Sequence, residues 1–261
     1  MPATSDSQAT RAVSRVSSRL VFLHGFTQTH HHWHRCARLV AERLGRRVGT
    51  DPTVVLPDLP GHGLSADDRS DIGTAAAELA RTTGPATYVG YSMGGRIALH
   101  VAVAASSPVE RLVLIGATPG IVADDERAER RRSDEARAER IEEIGVEAFL
   151  DEWLAAPLFA TLPPDPDGLA HRRRNTAAGL AHSLRTGGTG AQRSLWDELE
   201  RITIPVLVLA GSLDTKFTAI GREMVDRLPN ATFAAIDGAG HAAHTERPTE
   251  VADTIATWLH G

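Results

Sequence analysis

The chain has 261 residues, 42% of them hydrophobic and 23% charged, values of a globular protein with room for one sizeable core and an insertion. Its formal net charge of −5 argues against a bulk electrostatic attraction to nucleic acid or to an anionic membrane. A single cysteine, Cys36, excludes an intrachain disulfide, and no apolar run approaches the roughly 20 residues of a membrane span.

Residues 1–10 read as a disordered polar tail. Residues 1–18 contain no apolar signal core, so a cytoplasmic protein is expected; the chain is also read as a monomer. From residue 11 to about 119, strand-like and helical stretches alternate. Strands are expected near 19–23, 53–57, 86–90 and 111–116, and helices near 33–43, 71–82 and 93–105. This rhythm predicts an α/β fold: a mostly parallel sheet flanked by helices, with reactive residues at the carboxyl ends of strands. At Pro119-Gly120 the pattern changes. Residues 121–200 are charged and helical in pattern with no clear strand, and strand signal returns at 205–210 and 231–236 before a last helix after Pro248. The reading is therefore a core over 11–120 and 201–261 with a helical cap over 121–200.

The first strand ends in His24-Gly25-Phe26-Thr27. His30, His31, His32 and His34 follow and raise a metal reading. His30 and His34 would share a helix face, but no cysteine or carboxylate pattern accompanies them, and no metal ligands are assigned. The third strand runs into Gly90-Tyr91-Ser92-Met93-Gly94, a G-x-S-x-G nucleophile elbow followed by a helical pattern. The pentapeptide alone also fits an ordinary glycine-rich turn. Its partners argue otherwise. Asp214 ends the strand-like run from Val206, and His241 follows the run 231–236, giving the order Ser, Asp, His at successive strand ends. A serine hydroxyl needs an imidazole to take its proton, and the imidazole needs a carboxylate to hold its tautomer. The N–H groups of Phe26 and Met93 are the expected oxyanion donors.

Segments across nearly the whole chain resemble the 2-succinyl-6-hydroxy-2,4-cyclohexadiene-1-carboxylate synthase family, lyases of menaquinone (vitamin K2) synthesis on the α/β-hydrolase fold. They are LHGFT (23–27), LPDLPGHGLS (56–65), GYSMGGR (90–96), ERAERRRSD (126–134), VEAFLDEWLAAPLF (146–159), RRRNTAAGLAHSLRTGGTGAQRSLW (172–196), GSLDTKF (211–217) and AGHAAH (239–244). The elbow and GHG segments are generic to the fold, whereas the cap segments, Arg96 and the D-x-K-F run are more specific. The resemblance implies a Ser92–Asp214–His241 triad, no cofactor and no metal. It implies a small polyanionic substrate bound by Tyr91, Arg96, Arg130, Trp153 and Arg172, with the three arginines facing one cleft beside Ser92. Arg172 stands in a run with Arg173 and Arg174, so its register stays open.

The family's substrate carries three carboxylates, and guanidinium forks match carboxylates. The implied chemistry is elimination of pyruvate with serine as general base. The elbow suits nucleophilic attack equally well. A serine hydrolase of an ester or carbon–carbon bond, or a non-catalytic receptor on the same fold, therefore remains as an alternative.

Overall fold

The structure is a computed structural model that describes residues 19–49 and 51–261; the tail expected over 1–10 and the start of the core at 11–18 lie outside them. Among the described residues six strands form one sheet: β1 (Arg19–Leu23), β2 (Thr53–Val55), β3 (Ala86–Tyr91), β4 (Val109–Ile115), β5 (Val206–Gly211) and β6 (Ala231–Ile236). Their order is β2-β1-β3-β4-β5-β6, and every neighbouring pair is parallel.

The central strands are buried on both faces, and their side chains alternate between two cores. Val21 and Leu23 of β1, Leu112 and Leu114 of β4, and Val206 and Val208 of β5 point one way. Leu20 and Phe22, Val113 and Ile115, and Leu207 and Leu209 point the other. A period of two with apolar residues in both phases demands cover on both faces. Helix α1 (His34–Val48) and the last helix, α9 (Pro248–His260), cover the second face. Helices α2 (Ile72–Thr83), α3 (Met93–Ala102) and α7 (Thr215–Arg227) cover the first. Fully burying each such aliphatic side chain contributes about 1.5–3 kcal/mol.

The chain leaves β1 toward β2 on one side and returns to β3 on the other. Loops diverge at such a switch and open a crevice at the strand ends. Leu23 pairs with Gly90 in register, so His24-Gly25-Phe26 and Ser92 emerge side by side at that crevice.

Between β4 and β5 lie α4 (Asp124–Leu154), α5 (Pro166–Arg172) and α6 (Ala177–Gly187). Gly145 breaks α4 with φ 78° and ψ 170°, a backbone state that favours glycine. Ala138, Ile141 and Phe149 of α4 pack on Leu180, Ala181 and Leu184 of α6, with Phe26 and Trp153 against them. The short turn Trp196–Arg201 already belongs to the core, because Leu195, Trp196 and Leu199 pack with Met224 of α7. Apolar packing thus returns to the sheet a few residues before position 200. A short helix, α8 (Ala243–Glu246), precedes α9. Among the described residues no helix is long and apolar enough to cross a membrane.

Candidate active site

Ser92 joins β3 to α3 with φ 49° and ψ −109°, a conformation that L-residues rarely adopt and that costs about 1–3 kcal/mol. Two glycines make the turn possible. A Cβ on Gly90 would lie 2.5 Å from the Gly95 Cα, and one on Gly94 would lie 2.2 Å from the Leu23 carbonyl oxygen. The Ser92 N–H donates to the Ile115 carbonyl at 2.9 Å, which anchors the turn to β4.

His241 sits in the loop after β6. Glu246 grips the loop by accepting from the amides of Gly240 at 2.7 Å and Ala242 at 3.0 Å. Gly116, at φ 55°, lets the ring approach, since a Cβ there would stand 3.0 Å from His241 Cε1. His241 Nδ1 donates to Asp214 Oδ2 at 2.7 Å, and its Nε2 lies 3.3 Å from Ser92 Oγ. Asp214 also caps α7, its Oδ1 accepting from the Phe217 amide at 3.2 Å. Asp214 and His241 are buried. The carboxylate on Nδ1–H leaves the Nε2 lone pair facing the serine.

The amides of Phe26 and Met93 meet no protein acceptor among the described residues. The Phe26 loop is braced at Thr27, which has φ 64°. The Thr27 N–H donates to His62 Nε2 at 3.2 Å, and His62 Nδ1 donates to the Pro60 carbonyl at 2.9 Å. The Thr27 carbonyl accepts from Asn175 Nδ2 at 2.7 Å, and its hydroxyl accepts from Arg172. His24 Nε2 accepts from the Leu59 amide at 3.0 Å. Burial pushes His24 down to about 3 and His62 down to about 4, so both rings are neutral acceptors at neutral pH.

Ser92 and His241 open onto a cavity of about 160 Å³, also walled by Phe26, Tyr91, Met93, Arg96, Arg130, Trp153 and Lys216. Tyr91 is buried against Gly25, where a Cβ would come within 2.5 Å of the phenol ring, and burial pushes its hydroxyl pKa up. Trp153 stands edge-on to Phe26 at 5.3 Å, and its indole N–H is buried with no protein partner among the described residues. Arg96, on the first turn of α3, is 7% exposed. Its Nη1 donates to Gln192 Oε1 at 3.1 Å; among the described residues no carboxylate forms an ion pair with it, although Asp134, itself paired with Arg130, attracts it from farther off. Burial, with Arg130 nearby, pushes its guanidinium down to about 10, still charged at neutral pH. The Arg130 Nε donates to Asp134 at 2.8 Å, its neighbour one helical turn on.

Arg172 departs from the expectation of three arginines in one cleft. It is buried but does not line the Ser92 cavity. It borders a neighbouring cavity of about 380 Å³ beside Leu154, Phe159 and Leu162, and its guanidinium grips Thr27, one residue beyond Phe26. Burial pushes it down to about 10. The register is nonetheless clear: Arg173 and Arg174 are exposed, and Arg173 pairs with Glu147 at 3.0 Å. The third cation of the Ser92 cavity is Lys216 of the D-x-K-F run, which lies outside the expected substrate-binding residues; its place two residues after Asp214 is the local signal that could have found it. Gln192 and Asn175 carry no comparable sequence signal, because each acts across a long chain separation; Glu246 bonds amides only four and six residues away, yet it stands in no motif that marks it.

Residues 20–254 match the alpha/beta hydrolase family. A Salmonella typhimurium 2-succinyl-6-hydroxy-2,4-cyclohexadiene-1-carboxylate synthase is 34% identical over 92% of this chain and 93% of its own. An Escherichia coli protein of the same name is 33% identical over 92% and 93%. The structure of MenH from S. aureus superposes with a TM-score of 0.83 at 31% identity, covering 95% of each chain. A thermophilic esterase from Thermogutta terrifontis, 23% identical with a TM-score of 0.72 over 93% of this chain and 90% of its own, shares the fold. With the parallel sheet, the serine turn and this likeness in hand, the chain belongs to the 2-succinyl-6-hydroxy-2,4-cyclohexadiene-1-carboxylate synthase family of α/β-hydrolase-fold proteins.

Proposed function

We propose that the protein eliminates pyruvate from 2-succinyl-5-enolpyruvyl-6-hydroxy-3-cyclohexene-1-carboxylate to form 2-succinyl-6-hydroxy-2,4-cyclohexadiene-1-carboxylate, without a cofactor. One observation carries this reading: a buried Arg96 guanidinium without a carboxylate partner, in the same cavity as Ser92. A buried charge is stable only when it is paired, so Arg96 calls for an anionic ligand. Arg130 and Lys216 share that wall and give a trianionic substrate three cations.

In this mechanism His241 takes the Ser92 proton and Asp214 stabilises the imidazolium. The serine oxygen removes the ring proton alpha to the succinyl ketone. The electron pair shifts through the ring alkene and breaks the carbon–oxygen bond to the enolpyruvyl group, which leaves as enolpyruvate and ketonises to pyruvate. The Phe26 and Met93 amides receive the charge on the ketone oxygen, each donor worth about 3–4 kcal/mol in the transition state. Serine is a general base here, and no acyl-enzyme forms. Tyr91 and Trp153 shape the ring site. Arg172 holds Thr27 and so sets the Phe26 amide. Segment 121–200 acts as the cap that roofs Ser92.

Purified protein supplied with the enolpyruvyl substrate should generate the ultraviolet absorbance of a conjugated diene together with stoichiometric pyruvate. Simple esters assayed in parallel should turn over poorly. Rapid ester hydrolysis with no diene would reverse the assignment to a hydrolase, and neither activity would leave a receptor.

A further inference from the structure

A second cluster of chemically capable side chains gathers away from Ser92, where the start of α1 meets α5. One ligand atom each from His30, His31 and His34 lies within 4.8 Å of the other two. The His30 and His34 rings are neighbours because the turn His30–Trp33 runs directly into α1. His31 comes from the same turn but is held from outside: its ring stacks on His171 of α5 at 3.4 Å with 15° between planes. His31, His34 and His171 all face a cavity of about 450 Å³.

His30 is oriented by a carboxylate far off in sequence. The His30 backbone N–H donates to Asp58 Oδ1 at 2.6 Å, and its Nδ1 donates to Oδ2 at 2.9 Å. The Asp58 side chain is almost wholly buried. With Nδ1–H committed to Asp58, the His30 lone pair is on Nε2. Carboxylate–imidazole pairs of this kind set the tautomer and aim of metal-bound histidines.

We propose that His30, His31 and His34 form a site for a zinc-class divalent transition-metal ion, with Asp58 orienting His30. Imidazole nitrogens suit zinc, nickel and copper, whereas calcium and magnesium take oxygen ligands. Zinc–nitrogen bonds of about 2.0–2.1 Å in a tetrahedron put ligand nitrogens about 3.3 Å apart, so ring rotations close the set. Water completes the coordination. None of the three rings lines the Ser92 cavity, so the ion takes no part in the elimination. Through the His31–His171 stack it braces α5, the helix that carries Arg172, against the start of α1. The inference does not rest on the proposed reaction.

The test uses chelator-treated full-length protein. Calorimetric titration with zinc chloride should show one saturable ion per chain. The double variant His31→Gln/His34→Gln should bind at least about tenfold more weakly, and Asp58→Asn about ten- to hundredfold more weakly. Asp58 also accepts from the Leu64 amide, so the double variant is the decisive one, and an unchanged melting temperature without metal shows that it folds. Zinc should raise the melting temperature of the wild type and leave that of the double variant unmoved. Cobalt(II) should give the visible absorption of a low-coordinate nitrogen site in the wild type alone. No saturable binding by the wild type, or equal affinity in wild type and double variant, overturns the site.

Discussion

The Asn175 side chain donates to the Thr27 carbonyl at 2.7 Å and accepts from the Gly63 amide at 2.8 Å. One amide group between α5 and α6 thereby ties the loop bearing the Phe26 N–H to the glycine-rich turn after β2. Replacing it with alanine leaves a buried carbonyl and a part-buried N–H unpartnered, which costs about 1–3 kcal/mol in stability. Because the proposed oxyanion donor at Phe26 loses its brace, kcat should fall about tenfold or more with little change in KM. Urea unfolding and steady-state kinetics on Asn175→Ala check both effects. A stable variant with wild-type kcat would show that the loop holds itself.

In the proposed mechanism Ser92→Ala removes the group that takes the substrate proton. Turnover should drop by several orders of magnitude while the fold persists. The alanine side chain also sits at φ 49°, so the strain of the turn is unchanged and stability should move little. Diene formation near the wild-type rate would remove Ser92 from the mechanism.

The cations divide into two kinds. Arg96→Ala and Lys216→Ala each remove a charge from the Ser92 cavity. With charge-assisted bonds worth roughly 1.5–3 kcal/mol, kcat/KM should fall about ten- to hundredfold or more. Arg172→Ala instead frees Thr27, so its loss should fall mainly on kcat. Equal KM effects from all three would place Arg172 on the substrate after all.

Acid should destabilise the protein within a definite window. Burial holds the folded-state values of His24 and His62 at about 3 and about 4, against 6.5 for a free imidazole. As pH falls below about 6.5 the unfolded chain takes up protons that the native state refuses, so stability falls with pH until the native rings titrate. Each ring contributes a slope of up to about 1.4 kcal/mol per pH unit. Above about pH 6.5 this contribution is complete and flat. Urea midpoints measured from about pH 7 down to about pH 4.5 should therefore drop steadily; constant midpoints across that range would rule out neutral buried rings.

Local patterns made much of this legible. β1, β3, β5 and β6 are short apolar runs, and each ends where the strand-end rule puts a reactive residue or loop. The strand expected over 53–57 shortens to Thr53–Val55, because Pro57 cannot donate to a ladder. Helix α7 between β5 and β6 goes unread from the pattern of strands alone, although Asp214 is its cap and Ile220, Met224 and Val225 face the core.

The residue types themselves determined the alternating sheet and helices, the serine turn with its two close-packed glycines, and the chain order of Ser92, Asp214 and His241. Those features depend on neighbours within a few residues, where periodicity and steric limits act directly. Only the tertiary structure decided which of Arg172, Arg173 and Arg174 turns inward, that Arg172 meets Thr27 while Lys216 joins Arg96 at the Ser92 cavity, and that Asp58 orients His30. Each of those outcomes joins groups far apart in the chain. Their partners are chosen by packing and by the need of every buried charge and amide for a counterpart, which no local pattern encodes.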